Sequence, residues 1–368
     1  MHTVDIYALS QQILFASFAI GLLFGALAQK THFCTMGAIS DVINMGDWTR
    51  ALQWMMAIGV SMMGFAMLSL LGYIKPEKAV YSSTQFLWLS SLVGGVLFGL
   101  GMVFASGCGN KTLIRVGTGN LKSWVVMIVI GISGFATLKG ITAVMRVATV
   151  DQVLIEMPQG ANLATFFLSL FAPEHLQLTS YVGLSLGFIL FLYAALNASF
   201  FKFENWMAGL GIGLLVIAAW CVSGNLGHLL EHPETLEEVY LKTNSTRMEA
   251  LSFVAPIAYL FDWLEFYSDK SKTLSIGIVT VVGVICGSFV TSKFEGSFRW
   301  EGFGSVEDLG NHLIGAVLMG VGGVTAMGCT IGQGVSGLST LSLNAVVATL
   351  GIVIGAVTAI QYQTWRLD

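Results

Sequence analysis

Charge is the scarcest property of this 368-residue chain. Lys, Arg, Asp and Glu together make up 10% of the sequence, whereas a soluble domain contains about 25%. So few charges cannot cover the surface of a water-soluble globule, which excludes an ordinary soluble enzyme. The 17 basic residues are scattered rather than gathered into a stripe, which argues against binding to nucleic acid. The composition therefore predicts a protein embedded in a lipid bilayer.

Proline and strand-like alternation are also scarce, and this decides between the two kinds of membrane fold. Only five prolines occur, and the apolar residues form continuous runs of about 20 rather than alternating stretches of about 10. The sequence thus predicts an all-α polytopic membrane protein with spans at 11–29, 52–74, 122–145, 179–200, 206–222, 273–292 and 341–361. Two further runs, 87–107 and 311–328, are long enough to span but are dense in glycine and end in Gly-Cys.

Loop charge gives the expected orientation, because Lys and Arg favour the cytoplasmic side of a membrane. The stretches 147–178 and 223–250 carry many acids and few bases, so we expect both to lie outside. The cytoplasmic side would then hold Lys202, Lys293, Arg299 and Arg366. Met1–Leu9 has no cluster of Lys or Arg, so we expect the first span to be kept rather than cleaved as a signal peptide.

An internal repeat relates the two glycine-rich runs. Residues 94–108 (GGVLFGLGMVFASGC) and 315–329 (GAVLMGVGGVTAMGC) are identical at nine of fifteen positions, including the terminal Gly-Cys. A polar, glycine-rich stretch and then a second long span follow each copy. The pattern predicts one integral membrane domain, 1–368, with two halves at about 10–146 and 206–361, joined by 147–205. We expect the halves to form a pseudo-two-fold, inverted repeat with a broken, re-entrant helix in each.

Breaks at corresponding positions of two halves often mark the substrate site of a transporter. Interrupted backbone at membrane depth survives only inside protein or along a cavity, because lipid cannot satisfy its N–H and C=O groups. The alternative is that Gly94, Gly95, Gly99 and Gly101 only let neighbouring helices approach closely.

The five cysteines fall into two groups. No CxxC pair occurs, which argues against a disulfide scaffold, a structural zinc site or a thiol oxidoreductase. Cys221 and Cys286 lie inside apolar runs and are expected to be small core residues. Cys34, Cys108 and Cys329 instead lie in breaks between helices, where the amides of the following helix favour an anion. Their thiols add soft donors, so this set favours a sulfur-bearing anion.

The polar and glycine residues around these cysteines complete the predicted site. Lys111 either serves the substrate path or, with Arg115, extends to the headgroups. Asn110 and Gln333 either donate to substrate oxygens or satisfy the broken backbone. His32 has no neighbouring ligands, so no metal is expected, and no nucleotide motif indicates a cofactor. The predicted site consists of Cys34, Cys108, Cys329, Gly107, Gly109, Asn110, Lys111, Gly328, Thr330 and Gln333.

Four segments resemble the YeeE/YedE family of bacterial inner-membrane sulfur transport proteins. They are FCTMGAISD (33–41), GLGMVFASGCGNKTLIRVGTGNLKSW (99–124), VICGSFVTSK (284–293) and GAVLMGVGGVTAMGCTIGQG (315–334). The resemblance implies an hourglass-shaped helical protein that takes up thiosulfate and is not an enzyme. It also implies a thiol relay through Cys34, Cys108 and Cys329, and a TusA-like cytosolic sulfur-carrier protein as partner.

Two departures from the family pattern concern the first break. Thiosulfate-transporting members often have Gly-Cys-Ala-Thr-Gly and Arg-x-Gly-Glu-Gly, where this chain has Gly-Cys-Gly-Asn-Lys (107–111) and Arg-Val-Gly-Thr-Gly (115–119). The missing acid and the added Lys111 make the expected path more positive. These departures leave another sulfur or selenium substrate open. Two other classes of protein also stay open: a membrane sulfurtransferase that forms a cysteine persulfide, and a structural membrane subunit.

Overall fold

The structure, a computed structural model, describes residues 6–157, 160–168, 176–233, 235–269 and 271–367. Almost all regular structure in these ranges is helical. The helices are α1 Ile6–Lys30, α2 Thr35–Met45, α3 Thr49–Leu70, α4 Trp88–Phe104, α5 Gly109–Gly117, α6 Leu121–Lys139, α7 Ile141–Ala148, α8 Leu163–Leu168, α9 Leu176–Ala195, α10 Phe203–Cys221, α11 Val254–Glu265, α12 Ile276–Phe294, α13 Val306–Thr325 and α14 Leu343–Leu367.

Short π-helical, 3₁₀ and strand segments connect the long helices. The π-helical segments are Val222–Leu226 and Gly332–Gly337, and the 3₁₀ segments are Pro76–Lys78, Val150–Gln152 and Ala198–Phe200. Two antiparallel pairs of short strands join β1 (Gln85–Phe86) to β2 (Ile155–Glu156) and β3 (His228–Leu229) to β4 (Val239–Tyr240).

Eight helical stretches within the described ranges are long and apolar enough to cross a membrane, which confirms an all-α polytopic membrane protein. The expected spans differ from the helices by several residues in places, since α3 ends at Leu70 rather than 74 and α9 at Ala195 rather than 200. Two further differences have a clear cause. The span expected at 122–145 ends at Lys139, because Gly140 has an extended backbone and a separate helix, α7, follows. The run expected at 311–328 forms α13, but this helix is not among the eight. Its first turns carry Asp308 and His312, which shorten its apolar part.

The ends of α6 and α12 define two opposite faces of the molecule. Each helix has 19 residues and is therefore about 28 Å long. At one end, the Leu121 N–H donates to Glu301 O at 2.8 Å. At the other end of α6, Lys139 forms an ion pair with Asp262 at 2.8 Å. We call the end near residues 118–121 and 295–301 the vestibule face and the end near residues 227–276 the loop face.

The two repeat helices, α4 and α13, cross each other in antiparallel directions at their glycines. A Cβ atom on Gly101 would lie 2.6 Å from Gly315 O, and one on Gly322 would lie 2.6 Å from Gly94 O. Gly101 and Gly322 occupy the same position in the two copies of the repeat, as do Gly94 and Gly315, so the repeat makes these two contacts equivalent. From this contact we propose that the two halves form an inverted repeat; the hourglass shape stays a prediction.

The glycines of the α4 run do pack against neighbouring helices, as the packing alternative predicts. Gly94 and Gly101 contact α13, whereas Gly95 and Gly99 contact backbone atoms of α14. Close helix packing therefore accounts for these four glycines. It does not account for the breaks that follow α4 and α13.

Candidate functional site

Three breaks in the helical structure share one backbone geometry. His32, Ser106 and Met327 have φ values of 52°, 56° and 57°, and each lies two residues before a cysteine. None of them is glycine, so this left-handed conformation costs each residue on the order of 1–2 kcal/mol. Each break also closes the preceding helix with a bond that spans five residues, such as the one from Gly107 N to Met102 O at 2.8 Å. This is the Schellman ending of a helix, reached without its usual glycine.

Each cysteine then directly precedes a new helical segment. Cys34 precedes α2, Cys108 precedes α5, and the chain after Cys329 is helical from residue 330. The Cys34 and Cys329 sulfurs accept the N–H of Gly37 and Gly332, both at 3.5 Å. The free N–H groups and the helix dipole give each of these ends a positive potential, which favours an anion.

The Cys108 thiol lies at the centre of the first group of polar atoms. It donates to Asn110 Oδ1 at 2.6 Å and lies 3.9 Å from Thr35 Oγ1. The thiol of Cys34 and the side chain of Thr330 lie beside it. Cys108 is fully buried, so these contacts are shielded from water.

The third thiol, that of Cys329, lies against a fourth helix start. The backbone of Phe253, the residue before α11, lies against the Cys329 sulfur, which is fully buried. The next residue, Val254, also approaches α5, since a Cβ atom on Gly109 would lie 3.4 Å from Val254 Cγ2. The starts of four helical segments thus meet around the three thiols.

Three buried polar atoms in this region make no hydrogen bond of ordinary geometry with any described residue. They are Asn110 Nδ2, Thr330 Oγ1 and Gln333 Oε1. The other end of the Gln333 amide donates from Nε2 to Ala326 O, so this side chain does satisfy part of the broken backbone. Buried polar atoms without partners are rare and costly, so they mark a place for a ligand or water. Asn110 and Thr330 offer donors, which suit an anion.

A cavity of about 470 Å³ opens at the vestibule face and reaches Cys34. Its basic lining residues are Arg50, Lys111 and Arg115, and its acid is Asp41, which pairs with Arg50 at 3.3 Å. Lys111 thus lines a cavity next to the thiols. The cavity is open on its outer side, so the position of Lys111 is compatible with both of its predicted roles.

A second cavity, of about 240 Å³, lies at the loop face. Its lining includes Tyr81, Ser252 and Met327, and Met327 lies two residues before Cys329, which carries the third thiol. A Cβ atom on Gly332 would lie 2.7 Å from Ser252 Oγ and 3.2 Å from Tyr81 Oη. Burial raises the pKa of Tyr81, so its phenol stays protonated and remains a donor. The thiol region therefore lies between two cavities that approach it from opposite faces.

The remaining predicted residues have simple positions. Gly107 contacts the side chain of Lys111, and Gly328 contacts that of Gln333. Cys221 and Cys286 are half-buried in α10 and α12, away from the breaks.

The sequence analysis missed several residues that the structure places at the site. Thr35 follows Cys34 as Thr330 follows Cys329, and this repeated Cys-Thr pair was the available signal. Arg50 lies fifteen positions after Thr35 and reaches the vestibule only because α2 and α3 are joined by a tight turn. Phe253 and Tyr81 carry no sequence signal, since both are aromatic residues in long connecting segments.

Comparison with known proteins shows the family of this chain. A family described as Sulphur transport matches residues 30–358. The Thiosulfate transporter TsuA of Escherichia coli (strain K12) is 26% identical over 356 residues, covering 92% of this chain and 91% of that protein. The Thiosulfate transporter TsuA of Spirochaeta thermophila (strain ATCC 700085 / DSM 6578 / Z-1203) is 24% identical over 349 residues, covering 91% and 94%. With three thiols and four helix starts between two cavities, and a match across nearly its whole length, this multi-pass membrane protein belongs to the sulphur transport family.

Proposed function

We propose that this protein takes up thiosulfate across the bacterial inner membrane and that Cys34, Cys108 and Cys329 relay the anion. The observation that carries the proposal is the convergence of three buried thiols and four helix starts between cavities on opposite faces. The names of the two relatives supply the substrate.

The chemistry of the site suits a dianion with a terminal sulfur. Helix N-termini and the unpartnered donors on Asn110 and Thr330 stabilise the charge. The thiols bind the sulfur through weak S–H hydrogen bonds. Weak bonds at successive stops let an ion enter each stop and still leave it, as conduction requires.

The path runs from the loop face to the vestibule face in this proposal. The anion enters by the loop-face cavity, meets Cys329 first, passes Cys108 and leaves along Cys34 into the vestibule. This direction follows the expected orientation, in which the acid-rich stretches 147–178 and 223–250 lie outside. No covalent bond to sulfur forms on the way.

The test is thiosulfate uptake by single Cys→Ala variants in reconstituted vesicles. Loss of one hydrogen bond to a charged group is worth roughly 1.5–3 kcal/mol, so uptake should fall about 10- to 100-fold for Cys108→Ala and Cys329→Ala. Cys221→Ala and Cys286→Ala are matched controls, because both thiols lie within helices outside the breaks. Normal uptake by Cys108→Ala and Cys329→Ala would contradict the relay.

The same vesicles distinguish transport from sulfur transfer and reveal the substrate range. A sulfurtransferase would gain the mass of one sulfur atom on a cysteine after thiosulfate is added, which intact-protein mass spectrometry detects. A transporter would show no such gain. Competition with sulfite, sulfate and selenium analogues measures selectivity.

A TusA-like cytosolic sulfur carrier is the proposed partner on the inner side. The vestibule opens on the face that loop charge assigns to the cytoplasm, so such a carrier would meet the anion where it leaves. Chemical cross-linking of the two purified proteins should give products at the vestibule face. Cross-links confined to the loop face would contradict this arrangement.

Uptake of a dianion also needs an energy source. Each charge moved against a membrane potential costs about 2.3 kcal/mol per 100 mV, so a dianion entering a cell that is negative inside costs about 4.6 kcal/mol per 100 mV. A cation that travels with the anion reduces this cost, which makes the titratable groups along the path important.

A further inference from the structure

A carboxylate lines the cavity through which the anion is proposed to enter. Glu249 belongs to the wall of the loop-face cavity, together with Tyr81 and Tyr259. An ionised carboxylate here repels an arriving dianion, whereas a protonated one offers it an O–H donor. The protonation state of this one group therefore decides whether the cavity accepts the substrate.

Hydrogen bonds fix the Glu249 side chain in place. Its Oε1 accepts the backbone N–H of Asn244 at 3.0 Å and that of Ser245 at 2.7 Å. Both backbone bonds use the same oxygen, and the Ser245 side chain also hydrogen-bonds the carboxyl group. A hydroxyl can accept as well as donate, so this contact fits either protonation state of Glu249.

Cations near Glu249 are engaged elsewhere. Arg146 lines the same cavity but pairs with Asp151 at 3.1 Å. Arg247, on the same loop, donates from Nη1 to Ser82 O at 2.8 Å. Among the described residues, Glu249 forms no ion pair with Lys, Arg or His. Lys242 is the remaining base on this loop.

The other elements around the cavity add no competing proton site. Tyr81 and Tyr259 face Glu249 from residues 79–83 and from α11, and burial raises the pKa of both phenols. The cavity residues from α12 and α13 are Gly277, Gly323 and Val324, and Met327 lies in the break after α13; none of these residues titrates. Burial also raises the pKa of Glu249.

We propose that Glu249 is a proton-binding site at the entrance of the transport path and that its protonated form admits the anion. This inference rests on the proposed function, because it assumes entry through the loop-face cavity. Binding is reciprocal: if a proton on Glu249 favours thiosulfate, thiosulfate in the cavity favours the proton by the same factor. The proton comes from the loop-face side and returns there once the anion has moved on, so this linkage sets entry of the anion.

The test compares the pH dependence of uptake in wild type and Glu249→Gln. Thiosulfate stays a dianion near neutral pH, so its own titration does not interfere. Wild-type uptake should fall up to about tenfold per pH unit above the pKa of Glu249, as the protonated fraction falls. Glu249→Gln keeps an oxygen for the two backbone bonds and should transport at one rate from pH 6 to pH 8. Glu249→Asp should keep the pH dependence.

Glu238→Gln is the matched control, since Glu238 is a loop-face carboxylate that pairs with Lys75 and Lys78 outside the cavity. Its uptake profile should follow wild type. If wild type takes up thiosulfate and Glu249→Gln shows the same pH profile, the proton site is overturned and the transport function stands. If wild type takes up no thiosulfate at any pH, both are overturned.

A second measurement does not depend on uptake. Because the pKa of Glu249 is raised in the folded protein, folding is favoured below its ordinary pKa and this contribution is lost as pH rises through the raised value. Glu249→Gln should therefore unfold at a higher temperature than wild type at pH 8 and at a similar temperature at pH 5. A lower unfolding temperature at pH 8 would mean that the carboxylate is needed in its charged form, which contradicts the proposal.

Discussion

The two cavities that approach the thiols differ in the charge of their lining side chains. The breaks in the backbone next to them share one geometry. The vestibule is lined by Arg50, Lys111 and Arg115, whereas the loop-face cavity is lined by Glu249, phenols and the paired Arg146. In each of these breaks, the residue two positions before the cysteine has a left-handed backbone conformation. The backbone thus provides similar helix starts next to both cavities, and the side chains provide the difference between the cavities.

This difference favours movement in one direction. In the proposed function, a dianion at the thiols faces three cations and one carboxylate, Asp41, on the vestibule side, and Glu249 with the paired Arg146 on the loop side. The attraction between exposed charges is screened within about 8 Å at physiological salt, so it acts only near the vestibule mouth. Charge therefore promotes release into the vestibule rather than long-range capture.

The largest effect on stability and uptake is expected at the crossing of α4 and α13, the two helices that precede the breaks at Cys108 and Cys329. In Gly322→Ala the new Cβ atom would lie 2.5 Å from Phe98 N and 2.6 Å from Gly94 O, so the helices must separate. Overpacking of this kind costs about 1–3 kcal/mol, and here the clash is with backbone. We expect a lower unfolding temperature in detergent and little uptake.

Gly310→Ala is the control for this change, because it lies in the same helix and a Cβ atom there has no neighbour within 4 Å. It should be neutral or stabilising by up to about 1 kcal/mol, since alanine favours a helix. Equal unfolding temperatures for Gly322→Ala and Gly310→Ala would mean that the crossing does not hold the cavities in place.

The next effect concerns the charge of the vestibule. Lys111→Gln removes one of its three cations at nearly constant size, and we expect uptake to fall about tenfold, the equivalent of about 1.4 kcal/mol for one charge near a protein surface. The loss should shrink as salt is raised. Lys122→Gln is the control at the same face, because Lys122 pairs with Asp308 at 2.8 Å outside the vestibule. Equal losses in both variants would contradict a specific role for the vestibule.

Much of the fold was predictable from the sequence, because long apolar runs leave few choices. The helical class and most of the spans follow from run length alone. The end of α6 was misplaced by several residues because Gly140 breaks a run that stays apolar through Val144. The polar first turns of α13 likewise made its start hard to locate.

The site was predictable only where its chemistry repeats along the chain. The repeated Gly-Cys located two thiols, and the polar stretch after α1 indicated the third. The left-handed residues His32, Ser106 and Met327 were not predictable, because none is the glycine that this conformation usually requires. Contacts such as Phe253 with Cys329 depend on how distant segments meet, which no local pattern encodes.

A smaller effect is expected from removing the hydroxyls of Thr35 and Thr330, which follow the cysteines at the two ends of the proposed relay. Thr330→Val and Thr35→Val each remove a hydroxyl without changing side-chain shape, and both hydroxyls lie by Cys108. Thr330 Oγ1 makes no hydrogen bond of ordinary geometry and lies against the Cys108 thiol, so we expect its loss to weaken thiosulfate binding by about 0.5–1.5 kcal/mol, or roughly 2- to 10-fold. Thr35→Val should have the smaller effect. Thiosulfate affinity measured by calorimetry checks this order, and the reverse order would place the anion nearer α2.

The smallest effect is expected outside both cavities, at the loop-face carboxylate Glu238. Hydrogen bonds from Lys78, Lys75 and His228 lower its pKa to about 2, from an ordinary value of 4.5. A lowered pKa stabilises the fold above pH 4.5 and loses this contribution as pH falls towards 2. Exposed ion pairs are worth about 1 kcal/mol or less, so Glu238→Gln should lower the unfolding temperature by only a few degrees at pH 7 and by less at pH 3. If thiosulfate uptake by Glu238→Gln also changed, charges on the loop face outside the cavity would act on the anion. The comparison of the two cavities would then have to count every charge on each face.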